Sequence, residues 1–326
     1  MKRRADSSAG LGAYVVSRLL LFVITLIGAA VAIFIIARVL PGDPADVLLG
    51  DLSGSLSQDE LGLIRAKLGL DRPLLAQFGI YCNQLWHGDL GFSWAKHQSV
   101  AQLILSSFPS SLLLVLCAQL VGIAMGLPLG IYAATHRNTA GDRLSVVGAV
   151  IWSAAPSFWT SLLLIYFVAY KLGVFPVFGA GYGAGFLSVL YHLILPTFAL
   201  GTRSAGDIAR MSRASILEIM NFDYVRTAQA KGLSYNRVLY KHVVRNAAIP
   251  LVTIIGMNTA IDLGAAVIIE SVFARPGMGR LMADAIFARD YPVVQGCALV
   301  FAGFTAGINL LTDLSYTLID PRVRRS

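Results

Sequence analysis

The sequence predicts an all-α membrane protein with six transmembrane helices and both ends on the cytoplasmic side. Composition gives the class: of 326 residues, 56% are hydrophobic and 13% charged, with mean hydropathy +0.69. Soluble domains carry about 25% charged residues. The apolar runs are long enough to span as helices, whereas a membrane barrel would show alternating segments of about ten residues. The third observation is where the basic residues lie. The net charge of +8 comes from lysines and arginines flanking the apolar runs, which excludes the single basic face of a nucleic-acid binder and fits the positive-inside rule.

Lys2, Arg3, Arg4 and Arg18 precede an apolar run from Leu19 to Ala37, and Arg38 follows it. A signal peptide has an apolar core of only about 7–15 residues, so this is read as an uncleaved first span. Residues 41–108 are the longest polar interruption. Ser57-Gln58-Asp59-Glu60 is a capping box, with Leu61, Ile64 and Leu68 on one face, which predicts short extracytoplasmic helices. The remaining spans are expected at Ser111–Thr135, Leu144–Tyr170 with Pro156 inside, Phe186–Thr202 with His192 and Pro196, Ile249–Ile269 and Val293–Thr317. The chain thus divides into a tail and first helix (1–40), an extracytoplasmic helical region (41–108), a five-helix core (109–318) with a cytoplasmic loop at 209–249, and a short tail (319–326). Gly122-Gly126-Gly130 and Gly303-Gly307 are expected to let helices approach closely.

The charges orient the bundle. With the N-terminus inside, the cytoplasmic stretches hold 17 of the 26 lysines and arginines and the longer outer stretches hold 9. That places both termini and the stretch from Asp223 to Pro250 in the cytoplasm.

This stretch, DYVRTAQAKGLSYNRVLYKHVVRNAAIP, is polar and basic between two apolar segments. Asp223 is expected to cap a helix that runs to Lys231. Gly232 takes the left-handed backbone that stops it, and Ser234 caps a second helix lasting until Pro250 nears. A loop that only joined two spans would be shorter; a folded helix–turn–helix is a docking surface.

No GxxxxGK[ST], HExxH or GxSxG is present, and the five histidines lack metal-ligand spacing. The chain is read as a non-catalytic subunit with no metal. Cys82, Cys117 and Cys297 make no disulfide framework. Asp262 lies about 12 residues past Pro250, roughly 18 Å into its span, where a carboxylate costs about 2.5–3.5 kcal/mol on insertion scales. Such a residue faces a bundle interior or a watery pathway. It reads either as an interhelical hydrogen-bonding group or as a cavity group that meets a cationic amine. A paired-aspartate protease built on Asp262 and Asp313 lacks its sequence contexts. Asp262, Asn258, Pro156 and Pro196 are the candidates for lining a pathway.

The residues also carry a resemblance. DYVRTAQAKGL is similar to the cytoplasmic coupling loop of ABC-importer permeases in the dipeptide/oligopeptide/nickel branch. Against the general loop pattern of such permeases, aligned on Gly232, only Ala228 and Gly232 remain, which argues against the sugar and amino-acid branches. Glu270 to Gly296, ESVFARPGMGRLMADAIFARDYPVVQG, resembles that branch's ExVFxxPGxGxLxxxAIxxRDYPxxQG. VLPGDPAD at Val39–Asp46, LGLDRPLLAQF at Leu68–Phe78, GDLGFS at Gly88–Ser93 and the closing IDPRVR agree with it. Asp262 departs from the family, which usually has an apolar residue there.

The resemblance implies a type I importer permease fold in a bacterial or archaeal cytoplasmic membrane. It implies a second homologous permease, two cytosolic ABC ATPases that hold ATP and Mg2+, an extracytoplasmic solute-binding protein, surrounding lipid, and no nucleic acid. This chain itself binds no cofactor. The ATPase-coupling residues are expected to be Asp223, Tyr224, Arg226, Ala228, Ala230, Lys231, Gly232 and Leu233. Those of the extracytoplasmic docking face or gate are Glu270, Phe273, Pro276, Gly277 and Gly279. The cargo is read as di- or oligopeptides, with nickel chelates or glutathione-like solutes as the alternative. An ion-coupled secondary transporter is the competing class, and the internal inverted repeat that would favour it is not visible.

Overall fold

The computed structural model describes residues 2–39, 71–93 and 95–319. The LPGDP segment, the capping box at Ser57–Glu60 and the tail after Ile319 lie outside the described residues. Helix α1 spans Lys2–Val39 and α2 spans Leu74–Trp86. A two-residue antiparallel ribbon follows, β1 (Phe92–Ser93) pairing with β2 (Gln98–Ser99). Then come α3 (Val100–Thr135), α4 (Ala140–Ala154), α5 (Ser157–Leu164, running on as a π-helix over Ile165–Lys171) and α6 (Phe186–Met220). The cytoplasmic pair is α7 (Asp223–Ala230) and α8 (Tyr235–Arg237, continued as a π-helix over Val238–Val244). α9 (Ala248–Val272), α10 (Met278–Phe287) and α11 (Tyr291–Ile319) complete the chain.

Five helices are long and apolar enough to cross a membrane alone. The sixth crossing is the α4–α5 pair, bent by 99°, which corrects the expectation of one kinked span over Leu144–Tyr170. Pro156 has no N–H to give the ladder and forces its predecessor out of the helical region. Ala155 and Pro156 are accordingly extended, at ψ 124 and ψ 131. The pair still crosses once, because its neighbours on α6 climb steadily. Asp142 pairs with Arg213, Ala149 lies against Gly206, and Gly181, beyond α5, lies against Ser188 and His192.

Two other boundaries move. α3 begins at Val100 rather than Ser111, capped by Ser99, whose hydroxyl accepts from Gln102 N at 3.3 Å, and Pro109 does not interrupt it. α6 does not end at Thr202. Its buried stripe continues through Ala205, Ile208, Ser212, Ile216 and Ile219, so the 35-residue helix runs about 52 Å into the cytoplasm. The last two spans match expectation to within three residues at either end.

The core lies between α3, α6 and α9, around Leu114, Val115, Leu200, Leu263, Ile269 and Phe273. The α3 glycines set its spacing. A Cβ on Gly126 would lie 2.4 Å from Ala205 O, and one on Gly130 would lie 2.5 Å from Ala209 O. Gly303 and Gly307 do not repeat this. Leu26 at 3.7 Å is the nearest atom to a Cβ on Gly303, and Gly307 faces open space. α1 is instead tied to α11 by the Arg18–Asp313 ion pair at 3.0 Å and by Tyr14, whose hydroxyl donates to Asp313 O. Asp313 therefore belongs to a helix–helix contact near the cytoplasmic end.

Candidate functional site

The sequence singled out three places: the cytoplasmic turn, the aspartate inside the bundle and the outer turn after α9.

At the cytoplasmic turn, Phe222 rather than Asp223 occupies the N-cap position of α7, and no side chain bonds the free amides there. Asp223 is the first helical residue, where its charge still favours the positive end of the helix. The stop at Gly232 is as expected. Its φ is +76, Gly232 N donates to Gln229 O at 2.9 Å and Leu233 N to Ala228 O at 3.4 Å. These are the two bonds of a Schellman stop. Ser234 precedes α8 without a side-chain cap bond. Pro250 does not end α8; it sits in the first turn of α9, where the missing N–H costs nothing.

The pair stands on an apolar foot. Val225, Ala228, Val238, Leu239 and Val243 pack with Ile216 and Ile219 of α6, Ala134 of α3 and Leu251 of α9. Of the expected coupling residues, Ala228 is thus buried in the foot and Leu233 half-buried. Asp223, Tyr224, Arg226, Ala230, Lys231 and Gly232 are exposed. Phe222, Tyr235 and Tyr240 share the open surface. Asn246 Nδ2 donates to Tyr224 Oη at 3.0 Å and to His242 O at 2.6 Å, joining the two helices.

Inside the bundle, Asp262 is fully buried. Its Oδ1 accepts from Arg203 at 2.8 Å; its Oδ2 accepts from Gln119 Nε2 at 2.6 Å and from Ser204 Oγ at 2.7 Å. Three donors from α3 and α6 thus satisfy the carboxylate, the arrangement a buried charge needs. Arg203 also bonds Asp207 at 3.3 Å, which pairs with Arg210 at 2.8 Å. The charge count had placed Arg203 in the cytoplasm; it turns back into the bundle because α6 never ends there. A buried carboxylate demands a cation, and Arg203 at the edge of the fourth apolar run is the one signal that could have named the partner. Asn258, one turn before Asp262, is buried with Nδ2 unbonded among the described residues. Pro196 is buried within α6, and Pro156 is exposed at the α4–α5 bend.

At the outer turn, Phe273 caps α9 and packs in the core. Ala274 takes φ +50, Ala274 N donates to Ser271 O at 3.2 Å and Arg275 N to Glu270 O at 2.8 Å. The chain then turns at exposed Pro276 into α10, which starts at Met278. The Glu270 carboxylate lies over the α10 N-terminus, where Oε2 accepts from Arg280 N at 3.1 Å. This explains the glycines of PGMG. A Cβ on Gly277 would fall 2.2 Å from the carboxylate, and one on Gly279 would lie 2.5 Å from Val267 Cα. Met278 N donates to Ser111 Oγ at 2.8 Å, joining the turn to α3.

Two motifs far apart in sequence meet nearby. Ser93 Oγ of GDLGFS donates to Asp290 of RDYP, and a Cβ on Gly91 would touch Pro292 at 3.4 Å. They meet in a buried contact at the outer end of α11.

A bundle of membrane-spanning helices carries an exposed aromatic and basic helix pair at its cytoplasmic end and a packed polar turn at its outer end, an architecture suited to the transmembrane subunit of a transporter. The chain belongs to the family described as the binding-protein-dependent transport system inner membrane component, whose model matches residues 126–325; the N-terminal model of the same class matches residues 13–115. It is 39% identical over 311 residues to the glutathione transport system permease protein GsiC of Escherichia coli (strain CFT073), covering 95% of this chain and 98% of that protein. It is 35% identical over 335 residues to the dipeptide transport system permease protein DppB of Escherichia coli K12, with the same coverage. Among solved structures, an inward-facing MetNI methionine ABC transporter matches with TM-score 0.57 at 17% identity, over 67% of this chain and 97% of that one. An amino acid ABC transporter matches with TM-score 0.51 at 17% identity, over 66% and 92%. The fold is that of a type I ABC-importer permease. The chain is a multi-pass inner-membrane transport subunit that works with an ATPase and a binding protein.

Proposed function

We propose that this chain is the permease through which peptides cross a bacterial cytoplasmic membrane, driven by ATP hydrolysed on separate subunits. The observation that carries the reading is the cytoplasmic pair. Its exposed aromatic and basic face rests on a foot continuous with α3, α6 and α9. A push on that face is transmitted to the three helices around the core, as coupling to an ATPase requires. Asp223, Tyr224, Arg226, Ala230, Lys231 and Gly232 are the contact surface, and Ala228 and Leu233 its footing. Two cytosolic ATPases carry the ATP and Mg2+. A second, homologous permease completes the pathway.

The outer turn from Glu270 to Gly279, exposed at Pro276, is the docking face for the binding protein, with the Ser93–Asp290 contact buried nearby. Asn258 and Asp262 lie where the pathway passes the core, with Asp262 held by its three donors as an interhelical lock. The α4–α5 bend at Pro156 and the proline of α6 at Pro196 shape its wall.

Di- or oligopeptides are the cargo class, since relatives aligned end to end include a dipeptide permease. The second reading, a glutathione-like solute, is favoured by the relative at 39% identity and shares the peptide chemistry. The test is reconstitution of the complete assembly in proteoliposomes. ATP-dependent uptake of labelled dipeptide, competed or not by glutathione, is the expected result. Solute movement by this chain alone without ATP would overturn the reading.

A further inference from the structure

Arg275 is the largest fully buried side chain among the described residues. It is fully buried, yet Nε and both terminal nitrogens have no hydrogen-bond partner among the described residues. Burial pulls its pKa below the ordinary guanidinium value. An unpaired charge withdrawn from water is strongly unfavourable, so a fold that keeps one there holds it for something.

Its surroundings indicate what. Glu270 is the acid whose charge reaches it, but Oε2 accepts from Arg280 N, Oε1 has no hydrogen-bond partner among the described residues, and the two side chains form no ion pair. Tyr182 lies over the guanidinium at 5.9 Å. Tyr182 is on the segment 172–185 between α5 and α6, in which Gly179, Gly181, Gly183 and Gly185 all have positive φ. Phe175 and Val177 anchor the first half of the segment against the core that includes Phe273, and Gly179 N donates to Phe273 O at 2.9 Å.

We propose that Arg275 is an occluded receptor for a carboxylate. The glycine-rich stretch 181–185, which carries Tyr182, is its lid, and when the lid lifts the guanidinium takes the C-terminal carboxylate of an arriving peptide-like solute. The planar fork of five donors matches a carboxylate in two parallel bonds. Complete burial of the guanidinium favours a small solute over an acidic side chain fixed on a partner's surface. The inference deepens the importer reading and rests on it.

The test uses the complete assembly in proteoliposomes, with one binding protein throughout. ATP-driven uptake of a labelled dipeptide and of its C-terminal amide is measured for the unsubstituted chain, R275Q and R275K. The binding protein's own preference is common to all three, so a change in the acid-to-amide ratio reports residue 275. R275Q is expected to lower acid uptake about tenfold or more and to lower the acid-to-amide ratio with it. Its thermal unfolding midpoint in detergent should be no lower, because an unpaired buried charge has been removed. R275K is expected to keep part of the ratio.

Acid and amide lowered together with a lower midpoint would make Arg275 a structural group and overturn the proposal. So would an unchanged ratio in R275Q or, should R275Q fail to assemble, in R275K. Weakened docking of the binding protein with both solutes lowered alike would assign the guanidinium to a partner's carboxylate instead. If the unsubstituted assembly shows no ATP-driven uptake, the importer reading itself fails and this inference with it.

Discussion

The two ends of α7 and α9 stop by the same hydrogen bonds and differ in everything around them. At the cytoplasmic turn the left-handed residue is Gly232, with nothing within 4 Å of where a Cβ would sit. At the outer turn it is Ala274, at φ +50, followed by a buried arginine and a carboxylate wedged against two glycines. The first turn is open and unstrained, apolar beneath and polar above, as suits a piece that moves as a body against a partner. The second is filled with polar groups and holds an L residue where glycine would be easier. Strain and buried charge persist only where surrounding structure holds them. The contrast teaches that one local motif serves here as a handle at one end and as a latch at the other.

The strongest break in this comparison is Gly277→Val. The new side chain must displace the Glu270 carboxylate from its donors, and a buried charge deprived of its partners costs about 3–5 kcal/mol. We expect loss of the assembled complex from detergent extracts. Glu270→Ala in the same chain should recover part of it, a coupling that a double-mutant cycle reads directly.

Gly232→Val, at the open turn, should cost about 1–2 kcal/mol. Membrane insertion should persist while ATP-driven uptake falls, measured side by side in vesicles. Normal uptake would remove Gly232 from the coupling argument.

Ala274→Gly sharpens the comparison in the other direction. Relief of the left-handed strain should offset the loss of backbone restriction and raise the unfolding midpoint, by about 1 kcal/mol or less. A lower midpoint would mean that the methyl group is needed in packing.

The smallest effect is expected for Tyr224→Phe. Its hydroxyl joins Asn246 on an exposed surface, so stability should change by about 0.5–1 kcal/mol. Any larger fall in ATPase stimulation would place the hydroxyl in the partner interface rather than in the fold.

The turn at Gly232 was legible because a helix stop is a local event written in consecutive residues. So were the last two spans, where hydropathy alone sets the ends. Thr202 was misjudged because Arg203 looks like a membrane boundary until Asp262, 59 residues away, is known to receive it. The α4–α5 bend was foreshadowed by Pro156, but its size depends on what packs beneath it. Asp223 was displaced from the cap by one residue, since its side chain bonds none of the free amides. GDLGFS and RDYP were each visible as motifs; that Ser93 meets Asp290 was not, because 197 residues separate them.

The sequence by itself determined the membrane class, the orientation, the cytoplasmic helix–turn–helix and the family. These follow from hydropathy, flanking charge and residues within a few positions of one another. Only the tertiary structure decided which buried charges are answered. Asp262 receives three donors from two other helices, Glu270 is met at one oxygen by a helix N-terminus, and Arg275 has no hydrogen-bond partner among the described residues. Pairing in a low-dielectric interior depends on distances of a few ångströms between segments that the chain order keeps far apart.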